Sequence, residues 1–409
     1  MNKEMRTVLV LSIIIYLVMT GVTIISPILP AYAGDFGADW VMVGALMGSF
    51  AAARVFLSLP AGIIGDRIGN KKAMSIGLVI IIVASIIAYF AFDIHKVFGV
   101  GYQVLLLARI FEGIGSAFYA TMSTSYLAKN TQIERRGFFM SIFVGALLLG
   151  MVTGPGIGGL VAVNFGNAAP FLAYAIMTAI GFGIHLVLIK KDEGVPKEEL
   201  AQRDVMAEVK KVMSNRSFLI VNSGTLAAFF ARGGIIGTIF PIMAFQNFGY
   251  GPGVIGLVLT GVALTSLITI VPAGIIADKY GRKFPFMTSL ILGGVSVLFI
   301  PLAQDLTGLV VAMLVFGLSL GLTGPMAAWA ADLSDQKTMG TAMGLYRTIG
   351  DAGFVLGPLV LTTVATFANP DRITALPFVV CFFWLVITGL FLLKAEDPAG
   401  KKRGVGLVV

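Results

Sequence analysis

PAGIIGDRIGNKK, from Pro60 to Lys72, returns as PAGIIADKYGRKF from Pro272 to Phe284, at an offset of 212. After the identical PAGII, Asp66 matches Asp278, Arg67 matches Lys279, Gly69 matches Gly281 and Lys71 matches Lys283. Outward from this stretch, Phe36-Gly37 matches Phe248-Gly249 at the same offset. Gly150 and Gly154-Pro155 match Gly353 and Gly357-Pro358 at an offset of 203. Chance recurrence of glycine and alanine does not produce an ordered series of this kind. The chain is built from two parallel repeats.

What is repeated is apolar. Of 409 residues, 57% are hydrophobic and 12% charged, against roughly 25% charged in a soluble domain. That excludes a water-soluble enzyme, and the hydrophobicity excludes a disordered chain. One cysteine, Cys381, excludes a disulfide scaffold, and with only His95 and His185 beside it no structural zinc site is expected. A membrane helix needs about 20 apolar residues. Twelve such stretches are legible, over 7–31, 40–64, 73–92, 101–127, 137–163, 168–189, 217–246, 253–277, 284–303, 307–331, 339–367 and 373–394. They are continuous rather than alternating, so they read as helices and not as barrel strands. The expected fold is an all-α polytopic membrane protein of two six-helix bundles related by pseudo-two-fold symmetry. The bundles span 1–189 and 217–394, with a linker over 190–216 and a tail over 395–409. Two parallel repeats imply a substrate path between bundles and alternating access.

The basic residues set the orientation. With the N-terminus inside, 23 of the 29 lysines and arginines fall in cytoplasmic segments and two, Lys96 and Arg372, outside. Both termini are therefore expected in the cytoplasm of a cell with the protein in its plasma membrane. The net charge of +8 reflects insertion topology and lipid contact, not a nucleic-acid partner. In the linker, Leu200, Val205, Met206, Val209, Val212 and Met213 recur at helical spacing, which predicts a short amphipathic helix on the inner membrane surface.

Four arginines and two acids remain within the apolar stretches: Arg54, Arg109, Arg232, Arg347, Glu112 and Asp351. Intramembrane charges are costly unless paired and commonly mark substrate or proton paths. Arg109 and Glu112 are i, i+3, and Arg347 and Asp351 are i, i+4, so each pair can meet on one helix face. These four residues are the candidate proton-coupling set. Positions 144 and 148, which match Arg347 and Asp351, are Val144 and Leu148, so the repeat did not impose the second pair.

Several motifs together resemble the major facilitator superfamily, and in particular its twelve-span drug:proton antiporter branch. The repeated loop is similar to the family's G-x-x-x-D-R/K-x-G-R-R/K, at Gly62, Asp66, Arg67, Gly69 and Lys71 and again at Gly274, Asp278, Lys279, Gly281 and Arg282. The resemblance implies a cytoplasmic latch between bundles. Asn70 departs from the pattern where Arg282 keeps it, and Asp332 is placed to join Asp278 and Arg282, so the fuller charge cluster is expected in the second half. Arg109, Gly113, Gly115 and Ala117 resemble the fourth-span motif, whose arginine the family associates with proton coupling; Glu112 stands where glutamine is common. Gly150, Gly154, Pro155, Gly158 and Gly159 resemble the fifth-span antiporter motif.

The resemblance implies a secondary transporter, not an enzyme, that exchanges protons for amphipathic small molecules. It needs no cofactor and is expected to work as a monomer in the bilayer. Surplus arginine leaves open uptake or exchange of an organic anion, since guanidinium suits anionic groups. No acid occurs in the first span between Met5 and Tyr32, where cation exporters of the branch often carry one. In the family, the second and eleventh spans adjoin, so Arg54 and Asp351 are expected to pair in one access state. Arg54, Arg232, Tyr16, Met19, Phe118, Tyr119, Phe229, Phe230, Phe240, Phe316, Met326 and Trp329 are the candidate cavity residues, because aromatic and methionine surfaces accept varied apolar ligands.

Overall fold

A computed structural model of the protein describes residues 3–131, 136–192, 205–335 and 338–398. Twelve helices in it are long and apolar enough to cross a membrane. In order, spans one to six are Glu4–Ile24, Trp40–Ser58, Asn70–Tyr89, Gly101–Leu127, Ile142–Phe165 and Ala169–Leu188. Spans seven to twelve are Arg216–Phe248, Pro252–Ala277, Lys283–Leu302, Leu306–Asp332, Thr341–Ala368 and Leu376–Lys394. Helices are the solution because backbone polar groups within a bilayer must be satisfied inside their own segment. The chain is a multi-pass membrane protein. Span one is shorter than its apolar run: it stops at Ile24, and Leu29–Gly34 forms a separate short helix with Pro30 in its first turn.

The chain divides into two compact units. The first is Met1–Gln202 with Gly249–Thr260, and the second Arg203–Phe248 with Gly261–Val409. The break near Gln202 falls within the stretch read as a linker. The start of span eight groups with the first unit, which sequence alone did not indicate. Its cause is close backbone packing: a Cβ on Gly159 would lie 2.6 Å from the Pro252 carbonyl oxygen.

The fifth-span motif explains the packing around it. Gly150, Gly154 and Gly158 recur every four residues and therefore share one helix face. That face lies on span one: a side chain at Gly150 would meet the Tyr16 carbonyl, at Gly154 that of Thr20 and at Gly158 that of Ile24. Small residues permit such approach between membrane helices. The second unit repeats it. Gly353 of span eleven lies on the Leu226 carbonyl, and Gly357 on that of Phe230 in span seven.

Of the linker, Val205–Met213 is helical; Leu200, within 193–204, lies outside the described residues. The helix is tied to the segment leading into span eleven. Lys211 pairs with Asp335 at 2.7 Å and the Thr341 hydroxyl donates to Glu208. Met206 remains exposed while Val212 is buried. The Lys211 ammonium beside Asp335 holds that carboxyl below its ordinary range.

Candidate functional site: a buried ion pair in span four

Span four belongs to a continuous helix, Gly101–Lys129, and carries Arg109 and Glu112 one turn apart. Both are buried, at 2% and 0% exposure. An Arg109 Nη1 hydrogen bonds to Glu112 Oε2. The Ser85 hydroxyl of span three donates to Glu112 Oε1 at 2.7 Å. The Arg109 guanidinium sits 4.6 Å from the ring centroid of Phe50 in span two, and that of Arg54 lies 5.9 Å from the same ring. Across span six, the buried Tyr174 side chain lies within electrostatic reach of Glu112, Arg109 and Arg54. Isolated buried charge is prohibitive; a paired and hydrogen-bonded carboxylate is tolerated, and a cation over an aromatic face is further stabilised.

The glycines of the fourth-span motif make this assembly possible. A side chain at Gly113 would collide with the Phe50 carbonyl, and one at Gly115 would meet the Gly77 carbonyl of span three. Their absence lets spans two and three close on span four, bringing Phe50 and Ser85 to the pair. Sequence reading missed Ser85, Phe50 and Tyr174. The available signal was the presence of hydroxyl side chains within two largely apolar spans, Ser85 in span three and Tyr174 in span six.

Arg232, a candidate cavity residue, lies where spans seven and ten are both irregular. Span seven changes to a π-helical turn over Arg232–Ile239, and span ten breaks between Gly321 and Met326 at Gly324-Pro325. Arg232 Nη2 donates to the Leu320 carbonyl at 2.9 Å and to the Thr323 hydroxyl at 3.0 Å. Orphan carbonyls at a helix C-terminus favour a cation. Arg232 therefore bridges two irregular helices of its own unit. In span eleven, Asp351 is buried and Arg347 partly exposed.

Most of the proposed cavity aromatics are packed. Tyr119, Phe240, Phe316 and Trp329 are fully buried. Trp329 stands edge-on to Phe286 and donates to the Glu396 carbonyl at 2.8 Å. Met19, Phe230 and Met326 are also buried, Phe229 stands edge-on to Phe354, and Phe118 Cβ packs against Gly77. Tyr16 reaches Thr153. In this structure these side chains lie against neighbouring helices.

At the loop motifs, Gly69 and Gly281 adopt φ of 91° and 95°, which an ordinary side chain resists. Gly62 faces the Thr121 methyl, Gly274 meets open space, and Arg67 and Lys279 are exposed. Arg282 pairs with Asp332 at 3.3 Å, as expected for the second half. The side chains of Asp66 and Asp278 lie outside the described set. In the first half, Asp192 accepts from the Asn70 and Lys71 backbone N–H groups at 2.9 and 2.8 Å and from Asn70 Nδ2 at 2.8 Å, while Lys71 Nζ reaches the Leu186 carbonyl. Asp397 takes the same role in the second half, accepting from the Lys283 N–H at 2.9 Å. These two acids cap the helices that follow the loops. The signal was available for Asp192, the first acid after span six; Asp397 is the second acid after span twelve, following Glu396.

The Major Facilitator Superfamily model matches residues 11–237 and again 221–407. Among similar proteins, the mouse synaptic vesicular amine transporter is 25% identical over 82% of this chain. The chain spans less than two thirds of that relative's length, 63%. Multidrug resistance protein 2 of Bacillus subtilis is 24% identical over 87% of this chain and 88% of its own. The crystal structure of a D-xylose–proton symporter shares the fold, with TM-score 0.76 at 15% identity over 97% of this chain and 99% of that one. With both halves matched by the family's model and twelve spans in two repeated units, the chain belongs to the Major Facilitator Superfamily and is a membrane transporter rather than an enzyme.

Proposed function

We propose that this transporter couples proton entry to the export of amphipathic small molecules across the cytoplasmic membrane, with both termini inside. The observation that carries the proposal is the Glu112–Arg109 pair, buried with Ser85 as its third member. Protonating Glu112 removes the carboxylate that neutralises Arg109. The pair then loses most of its attraction, and the freed guanidinium must find another partner. A change of that size at a buried site shifts a two-state equilibrium between access states. Asp351 and Arg347 are the second proposed proton-linked set, and Arg54 belongs with the substrate side of the cycle.

Relatives named for amines and for multidrug resistance support organic substrates and export. The organic-anion alternative drew on surplus arginine. That surplus shrinks once Arg109 is assigned to Glu112 and Arg232 to a helix end. Everted membrane vesicles acidified inside test the reading, with ethidium as the probe. Ethidium addition should dissipate the preformed pH gradient in wild type and not in Glu112→Gln, while Glu112→Gln still binds ethidium. Full gradient-driven transport by Glu112→Gln would remove Glu112 as the coupling site.

A further inference from the structure

Among the buried polar atoms of the first unit with no hydrogen-bond partner among the described residues are the Tyr174 and Tyr119 hydroxyls, the Ser116, Thr178 and Ser12 oxygens, and His185 Nδ1. Their placement is ordered. On span four, Glu112, Ser116, Tyr119 and Ser123 are spaced by four, three and four residues and all are buried. On span six, Tyr174, Thr178, Gly181 and His185 repeat the same spacing on its buried face. Each series therefore forms one helical stripe, about 16 Å long at 1.5 Å per residue. Span three joins both ends: Ser85 donates to Glu112, and ten residues earlier the Ser75 hydroxyl lies 3.0 Å from His185 Nε2. Between them, Gly77 admits the backbone at Tyr119. Span one closes the side, with Gly21 against the Tyr174 ring and Ile14 against Gly181.

A buried hydroxyl without a partner costs about 1–3 kcal/mol. Buried water, with two to four polar neighbours, is the usual remedy. Hydroxyls and water both donate and accept, so a file of them carries protons. We propose that this stripe is a proton path linking Glu112 to the end of the first unit where span one begins, with His185 as its terminal relay. The proposal rests on Glu112 being the proton carrier.

The steps balance without a co-reactant. Protonated Glu112 gives its proton to the file and becomes the carboxylate that re-pairs with Arg109. His185 Nε2 faces the Lys71 carbonyl at 3.2 Å as well as Ser75, an arrangement that assigns the ring proton to Nε2 and the lone pair to Nδ1. Nδ1 accepts a proton from the file, Nε2 releases one to the Ser75 oxygen as that hydroxyl passes its own proton onward, and a flip of the ring restores the Nε2–H and the Nδ1 lone pair before the next proton arrives. The other groups at His185 are the Phe182 ring, stacked at 6.5 Å between centroids, and the Lys71 ammonium, which is held on the Leu186 carbonyl. Among the described residues no carboxylate hydrogen bonds to the ring, so none holds the proton there.

The test is a pH jump on the whole protein in lipid nanodiscs, followed by time-resolved infrared spectroscopy. The Glu112 carboxylic-acid band is identified by its loss in Glu112→Gln. Thr178→Val, Tyr119→Phe and Ser116→Ala keep shape and remove only the hydroxyl. Together they should slow the appearance of the band by about tenfold or more, with unchanged amplitude. His185→Ala should slow it similarly and recover with imidazole in solution, which a packing defect would not do. An unchanged rate in the triple variant, or no recovery with imidazole, overturns the path. Absence of any titrating Glu112 band in wild type overturns the proton reading itself and is a separate outcome.

Discussion

The two halves use the same glycine contacts and spend charge differently. Gly113 of span four lies on Phe50 and Ala53 of span two, and Gly317 of span ten lies on Val262 and Thr265 of span eight, both 212 residues later. Aligned on those glycines, Arg109 corresponds to Met313 and Glu112 to Phe316. The first half buries an ion pair where the second buries methionine and phenylalanine. The second half instead breaks span ten and sends Arg232 across from span seven to the buried carbonyl end of its first helical segment. Backbone approach is thus common property of the repeat. Charge is placed separately in each half, and that asymmetry is where function is to be sought.

The comparison can be broken most severely at the ion pair. Arg109→Ala leaves Glu112 buried without its cation and should cost about 3–5 kcal/mol, seen as a large fall in thermal unfolding temperature in detergent. Copying the second half, as Arg109→Met with Glu112→Phe, should recover most of that stability because two apolar side chains need no pairing. The same double variant should lose gradient-driven ethidium transport. A transport-competent double variant would make the pair a packing device like its counterpart.

Arg232→Met sharpens the other side. It removes a charged donor from the Leu320 carbonyl and Thr323 and should cost about 1.5–3 kcal/mol, measured the same way. Binding of ethidium should survive, since the arginine is assigned to a helix end. Selective loss of binding without loss of stability would return it to the substrate cavity. The cap acids come next. Asp192→Ala and Asp397→Ala should each cost about 0.5–2 kcal/mol, with the same sign in both halves because both cap a helix after a glycine of positive φ.

The smallest effect concerns Lys211 and Asp335. Asp335 is held below its ordinary range by the lysine, so the contact is present at neutral pH and is lost as pH falls through the lowered value. Alkalinity short of lysine deprotonation should leave it intact. Limited proteolysis of the segment before Val205 should therefore quicken on acidification, and Asp335→Asn should remove that pH dependence with little change in unfolding temperature. The pair is solvent-exposed and screened.

The sequence by itself determined the twelve spans, the duplication, and the pairing of Arg109 with Glu112, because apolar length and i, i+3 spacing are local properties. It also placed Arg282 with Asp332, since the repeat exposed a site with a base in one half and asparagine in the other. Only the tertiary structure decided that Ser85 completes the pair, that Arg232 caps span ten, and that Asp192 caps span three. It likewise set most of the candidate cavity aromatics against neighbouring helices. Each of those outcomes depends on how one helix is rotated and how far it slides along another. A shift of one residue turns a side chain by about 100°, and neither composition nor spacing along a single span records it.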